Sequence, residues 1–316
     1  MNKLFVTLIS MVLFAAPVFA VNVEVNENAL SNTPERLGID LKAVSSYAVE
    51  RYEHDKRTAD KKAAVIFEKN VVSSSVRTAE IKAKDTDDES IYRAGNIEFR
   101  VAKATGSEAL INLDRYAIAE KLSTPLPSEA IVRQTAFKYV QGNMPDVKLG
   151  DLRLSRILKI MDAESESSES GEISRRNSHV ANYIVIFERM LNNIPVLGPG
   201  EKVRIYLSAQ GDVIGHSKVW RKISEDYRRG RAIPTQEILE HFIARHANDR
   251  ADKIVVNQVQ FGFLAEGRFA RQESLGPVYM ISYAHDPTSK KMIELFDAFT
   301  GELVTSHENA GYGDVK

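Results

Sequence analysis

Between residues 201 and 209 the chain reads EKVRIYLSA, with Val203, Ile205 and Leu207 apolar and Arg204, Tyr206 and Ser208 between them. Alternation of this kind marks a half-buried β-strand: the odd positions aim at a core and the even ones face outward or towards a partner. Similar runs predict strands at 151–160, 179–190 and 212–223, then at 253–266, 277–285, 291–299 and near Leu303. Each group of four strands follows a segment with helical spacing. PSEAIVRQTAFKYV (127–140) and PTQEILEHFIARHA (234–247) share Pro, then Ser or Thr, then acidic residues, which is the chemistry of a helix start. Ile131, Thr135 and Val140 form the apolar stripe in the first, and Ile238, Phe242 and His246 in the second. An α+β fold is expected, with two tandem modules, 91–226 and 227–316. Each has one helix packed on an antiparallel sheet of about four strands, so that every element buries a single apolar surface.

The connections have their own chemistry. In NNIPVLGPGEK (192–202), Pro195 ends one strand where it need not donate to the ladder, and the glycines supply turns. AQGD (209–212) predicts a tight hairpin turn with Gly211 left-handed. Trp220, the only tryptophan, either caps the core or stands exposed as a binding anchor. Ser and Glu dominate 162–178, so a disordered acidic loop is expected, with a regulated acidic arm as the alternative. DYRRGR (226–231) is a linker or a processing site for a basic-specific protease. Residues 21–90 form an N-terminal extension, either an arm or part of a small third subdomain.

The first twenty residues, MNKLFVTLISMVLFAAPVFA, place one Lys before an apolar run and end in small residues, the build of a cleaved signal peptide. The run is too short to span a hydrocarbon core of about 30 Å, and no other stretch approaches the necessary length. A periplasmic or secreted protein without a membrane span is expected. No cysteine is present, which excludes disulfides, thiol catalysis and lipid attachment at a cysteine. With 42 basic and 43 acidic residues, the charge balance argues against nucleic acid as a partner.

Catalytic motifs fail one by one. His241 and His246 lie five apart on a helix, about 140° around its axis, where metal-binding pairs use three or four. HEN (307–309) lacks the second His of H-E-x-x-H, since Ala310 and Gly311 follow. His216 and His285 sit singly in strands. GHSKV (215–219) is not a serine elbow, and GPGEK (198–202) leads into a strand rather than a helix amino-terminus. No catalytic residue, metal site or cofactor is expected.

The segment YIVIFERMLNNIPVLGPGEKVRIYLSAQGDVIG resembles PepSY and thermolysin-type propeptide domains, in which a strand, a "GIPV"-like phrase, a Gly-containing turn and a "DG-x-V" hairpin follow one another. ELFDAFTGELV (294–304) is similar to the "DA-x-TG-x-V" ending of the same family. One departure is Asn193 where the family phrase has Gly. The resemblance implies cystatin-like modules, which in secreted metallopeptidases act as intramolecular chaperone and inhibitor. It points to an exported, non-catalytic protein that binds a protein partner, with secreted or periplasmic peptidases as candidates, through a sheet face or edge. Asn193, Ile194, Pro195, Arg204, Tyr206 and Trp220 are the candidate partner-binding residues. The alternatives are an envelope module that binds a small molecule, peptide or polysaccharide between its two domains, and an enzyme without a readable motif.

Overall fold

The computed structural model describes residues 21–26, 28–71, 81–113, 125–167, 173–224, 228–247, 249, 253–285 and 289–308. Residues 1–20, where a signal peptide is expected, lie outside the described residues. The helices are α1 (Pro34–Leu37), α2 (Lys56–Val71), α3 (Glu129–Asn143) and α4 (Thr235–His246). The first strands are β1 (Asn22–Val25), β2 (Val44–Ala48), β3 (Lys82–Asp85), β4 (Glu89–Ala94), β5 (Ile97–Ala102) and β6 (Glu108–Asn112). There follow β7 (Leu152–Ser167), β8 (Ile173–Leu191), β9 (Ile194–Leu197), β10 (Lys202–Ser208), β11 (Val213–Val219) and β12 (Arg228–Gly230). Last come β13 (Lys253–Leu264), β14 (Ser274–Leu275), β15 (Pro277–Ala284), β16 (Met292–Asp297) and β17 (Leu303–Glu308).

The fold is α+β, and a helix followed by antiparallel strands occurs three times. After α3 the strands β7, β8, β10 and β11 pair, and Val132, Ala136 and Val140 pack with Tyr183, Val185, Phe187, Val203, Ile205 and Leu207. After α4 come β13, β15, β16 and β17, with Ile238 and Phe242 in a core shared with Val256, Phe261, Tyr279, Ile281 and Phe296. The region read as an extension follows the same order: α2, then the meander β3 to β6, enclosing Ala59, Ala63, Phe67, Tyr92 and Phe99. Asp55 starts α2, its carboxylate accepting from the N–H of Arg57 (3.1 Å) and of Thr58 (3.2 Å). Residue 91, taken as the opening of the first module, falls inside β4, which pairs with both β3 and β5.

The three units share one sheet in the order β17-β16-β15-β13-β9-β8-β10-β11-β6-β5-β4-β3. The first seam is β6 against β11, where Gly215 sits opposite Ile111 and a Cβ would lie 2.3 Å from the Leu110 carbonyl oxygen. Glu108 and Lys218 bridge this seam at 3.1 Å, and Lys218 also holds Asp146 at 2.7 Å. The second seam is β9, which leaves its hairpin with β8 to run parallel to β13, Val196 opposite Phe263. A small sheet, β12-β2-β14, covers the third unit, with the Tyr47 and Phe263 rings 5.0 Å apart edge to face. Glu35 on α1 caps α4, accepting from the Thr235 N–H (3.0 Å) and hydroxyl (2.7 Å). No helix among the described residues is long and apolar enough to cross a membrane.

Four local expectations differ from the structure. Within the segment expected as a disordered loop, 162–178, the described residues are strand: β7 extends to Ser167 and β8 starts at Ile173, with Glu166 opposite Arg175. A ribbon that continues a long hairpin draws on backbone pairing and needs no apolar core of its own. The buried stripe of α3 is Val132, Ala136 and Val140, spaced by four, while Ile131 is 54% exposed. Pro195 does not end a strand but lies within β9. The stretch read as a linker contains β12, which pairs with β2 through Arg228 opposite Ser46.

Candidate functional site

The alternation of β10 has two consequences. Val203, Ile205 and Leu207 are fully buried under α3. Lys202, Arg204 and Tyr206 must therefore occupy the opposite face, half-buried. Register across β7, β8 and β10 extends this face into rows: Arg153, Glu188, Lys202; then Arg156, Ile186, Arg204; then Leu158, Ile184, Tyr206. Within these rows Ile186 is 2% exposed and Ile184 5%. Long cationic side chains thus stand over an apolar floor, with their aliphatic stems available to cover it.

The electrostatics of the face are one-sided. Glu188 is its one carboxylate in these rows and accepts from Arg153 Nε at 2.9 Å. Burial pushes the Lys202 ammonium down to about 8; Glu188 opposes this, and Arg204, Arg156 and Arg153 reinforce it. Burial likewise depresses the Arg204 guanidinium, whose Nε is enclosed without a hydrogen-bond acceptor among the described residues. Arginine's planar fork matches carboxylate and phosphate, so such a face can recognise anions.

Of the six residues singled out from the sequence, the structure brings two onto this face, Arg204 and Tyr206. Asn193 and Asn192 form the β8–β9 turn with φ of 65° and 49°, and Asn192 donates to the Tyr47 hydroxyl at 2.8 Å. Asn at position 193 therefore does adopt the left-handed conformation that Gly favours. Ile194 (8% exposed) and Pro195 are buried in the β9 seam, out of a partner's reach. Trp220 packs against the core under α3, with the Arg189 guanidinium 4.6 Å above its ring.

Sequence reasoning missed the charged cluster beside that tryptophan. Glu201 is 0% exposed, and its carboxylate accepts from Arg189 Nη1 (2.9 Å) and Arg221 Nη1 (3.3 Å). Arg221 also donates through Nη2 to the carbonyls of Glu266 (2.9 Å), Gly267 (2.9 Å) and Ala270 (3.2 Å). The cluster thereby ties β8, the turn before β10 and the segment after β11 to the third unit. One signal was available: Arg189 continues the inward phase of Val185 and Phe187. The candidate histidines are separate. His241 lies 3.0 Å from the Gly301 carbonyl oxygen, whereas His246 faces Asp249 (2.5 Å) and Glu294 (3.3 Å). Burial opposes the charged form of His246, but those two carboxylates outweigh it and hold the imidazole above its ordinary range.

Neither a protein-family model nor a curated protein sequence matches this chain. Among solved structures, an uncharacterised protein from Eubacterium rectale matches with a TM-score of 0.53 at 11% identity, over 83% of this chain and 86% of that one. The Bacillus megaterium YpeB C-terminal domain matches with a TM-score of 0.37 at 12% identity, over 81% of this chain and 98% of that one. The first likeness is one of fold.

Proposed function

We propose that this chain is an exported, non-catalytic binding protein whose helix-and-sheet units are tandem cystatin-like modules. Its cationic sheet face takes an extended, acidic segment of a protein partner. The observation that carries this reading is the pair of rows Arg153–Glu188–Lys202 and Arg156–Ile186–Arg204, next to an edge. Among the described residues β7 pairs with β8 alone, so its outer edge has backbone donors and acceptors to offer an added strand. Carboxylates on that strand would meet the arginines, and its apolar residues the floor at Leu158 and Ile160, the latter 38% exposed. Exported peptidases are the partner class to test first, given the likeness of residues 183–215 and 294–304 to propeptide phrases.

The test is complex formation and inhibition across a panel of secreted and periplasmic peptidases, with the full chain and with Arg156→Glu/Arg204→Glu. The expected result is a complex whose affinity falls at least about tenfold in the variant and declines with salt. Retained binding in a folded variant, or no complex with any peptidase, would remove the reading.

A further inference from the structure

A concavity lies away from the cationic face, where the three units meet. It encloses about 250 Å³ and is walled by four segments distant in sequence: 49–52 after β2, the β5–β6 turn at 104–105, Arg221 after β11, and 271–273 before β14. These walls are pinned by hydrogen bonds. The Val49 N–H donates to the Glu273 carbonyl (2.8 Å) and the Glu50 N–H to the Lys222 carbonyl (2.9 Å). The Thr105 hydroxyl donates to the Arg268 carbonyl (2.5 Å), and Gln272 Nε2 to the Leu264 carbonyl (2.8 Å). A site so held is preformed, which lowers the entropic cost of binding.

Its lining combines both signs of charge with one aromatic ring. Arg51 and Arg271 are exposed, as are Glu50 and Glu273. Tyr52 lies flat against Gly106, where a Cβ would stand 2.6 Å from the ring, so only a glycine admits it. Arg221, 5% exposed, lines the cleft as a held guanidinium. Its Nη1 and Nη2 are engaged as described above, and Nε is enclosed without an acceptor among the described residues. Arg221 therefore contributes a fixed positive charge to the wall of the cleft, and the groups free to move towards a ligand are the exposed side chains of Arg51, Arg271, Glu50 and Glu273.

We infer that this cleft binds a zwitterionic ligand of amino-acid to dipeptide size. Its carboxylate would be held by Arg51 and Arg271 in the field of the Arg221 charge, its ammonium by Glu50 and Glu273, and its side chain would lie against Tyr52. The volume is below the range of roughly 300–1,000 Å³ that drug-sized ligands occupy, which favours a small molecule. The balance of two exposed guanidiniums and two exposed carboxylates suits a dipole better than a simple anion. This site is independent of the proposed partner face, since the two share no residue.

The experiment is calorimetric titration of the full chain with alanyl-alanine, N-acetylalanine, and alanyl-alanine blocked at both ends. Alanyl-alanine is expected to bind and to raise the unfolding temperature. The blocked peptide is expected not to bind, and N-acetylalanine to bind about tenfold more weakly or less. Arg51→Ala/Arg271→Ala changes exposed residues only and is expected to weaken alanyl-alanine binding about tenfold with an unchanged circular dichroism spectrum. Equal binding of N-acetylalanine overturns the zwitterion assignment. The site itself is overturned if no heat is measured with alanyl-alanine up to about 10 mM, or if the folded double variant binds as tightly.

Discussion

Replacing Glu201 with Ala removes the single carboxylate between two buried guanidiniums. Arg189 is 5% exposed and Arg221 also 5%, so neither can turn to water without repacking. Breaking a buried ion pair by deleting one partner costs about 3–5 kcal/mol, because the remaining charge is uncompensated. Part of the loss is cushioned: Arg189 keeps its bond to the Arg221 carbonyl at 2.8 Å, and Arg221 keeps three carbonyl acceptors. The expected loss for Glu201→Ala is therefore near the lower end, about 3 kcal/mol. The backbone provides an internal control, since Glu201 has φ of 51°. A residue with a Cβ pays about 1 kcal/mol for that conformation, which glycine does not. Glu201→Gly is thus expected to be about 1 kcal/mol more stable than Glu201→Ala, although both lack the carboxylate. Urea unfolding followed by tryptophan fluorescence reads this directly, because the only tryptophan, Trp220, lies under Arg189. A loss below about 1 kcal/mol for Glu201→Ala would refute the view that this cluster binds the second unit to the third.

His216, buried on β11 with its Nδ1 3.0 Å from the Tyr139 hydroxyl, has its imidazole pushed down by burial to about 4. The folded state therefore resists a proton that the unfolded chain accepts near 6.5. Stability should fall by up to about 3 kcal/mol as the pH drops from about 6.5 towards 4. Comparing unfolding of the native chain and His216→Gln at pH 7 and 4.5 isolates this contribution, which the variant should lack; the charged neighbours Glu108, Asp146, Lys62 and Lys218 are present in both. Phe242→Ala should cost about 3–5 kcal/mol, since that ring is fully buried among His246, Tyr283 and Phe296, and chemical denaturation measures it. Gly262→Ala should cost about 1–3 kcal/mol and expose the β9 seam to limited proteolysis, because the added Cβ would lie 2.5 Å from both Leu197 Cγ and the Pro195 carbonyl oxygen.

What could be read from the sequence follows the range of the physics involved. Strand alternation is local, so the positions of β10, β13, β15 and β16 were legible to within a few residues, as was the positive φ of Gly211, 91°. The phase of α3 was missed because Ile131 is the more hydrophobic choice, while the inward stripe contains Ala136, a residue too small to announce itself. The first unit was hidden for a related reason. Its helix buries Ala59, Ala63 and Phe67 behind a surface rich in lysine, so the segment resembles a solvated arm. The ribbon beyond Asp162 depends on pairing between distant residues, which no composition count detects.

The same distinction separates the site residues that came together from those that did not. Arg204 and Tyr206 belong to an unbroken alternating strand, so locating the buried set 203, 205 and 207 also locates the face they must present. Ile194 and Pro195 belong to a segment in which alternation stops: all four residues of β9 are buried, and Gly198 and Glu201 turn with φ of 84° and 51° on its far side. Continuous burial in a short strand means neighbours on both faces. Here those neighbours come from the third unit, more than fifty residues away: Val196 belongs to the core that holds Phe261 and Phe263, while Leu197 packs in a separate cluster with Val278 and Leu295, and β13 pairs alongside. The Gly198 position makes the dependence explicit, since a Cβ there would lie 2.5 Å from the Ala265 carbonyl oxygen. The phrase that resembles a recognition element is in this chain a splice between two units, and surface chemistry is left to the strand that resumes at Lys202.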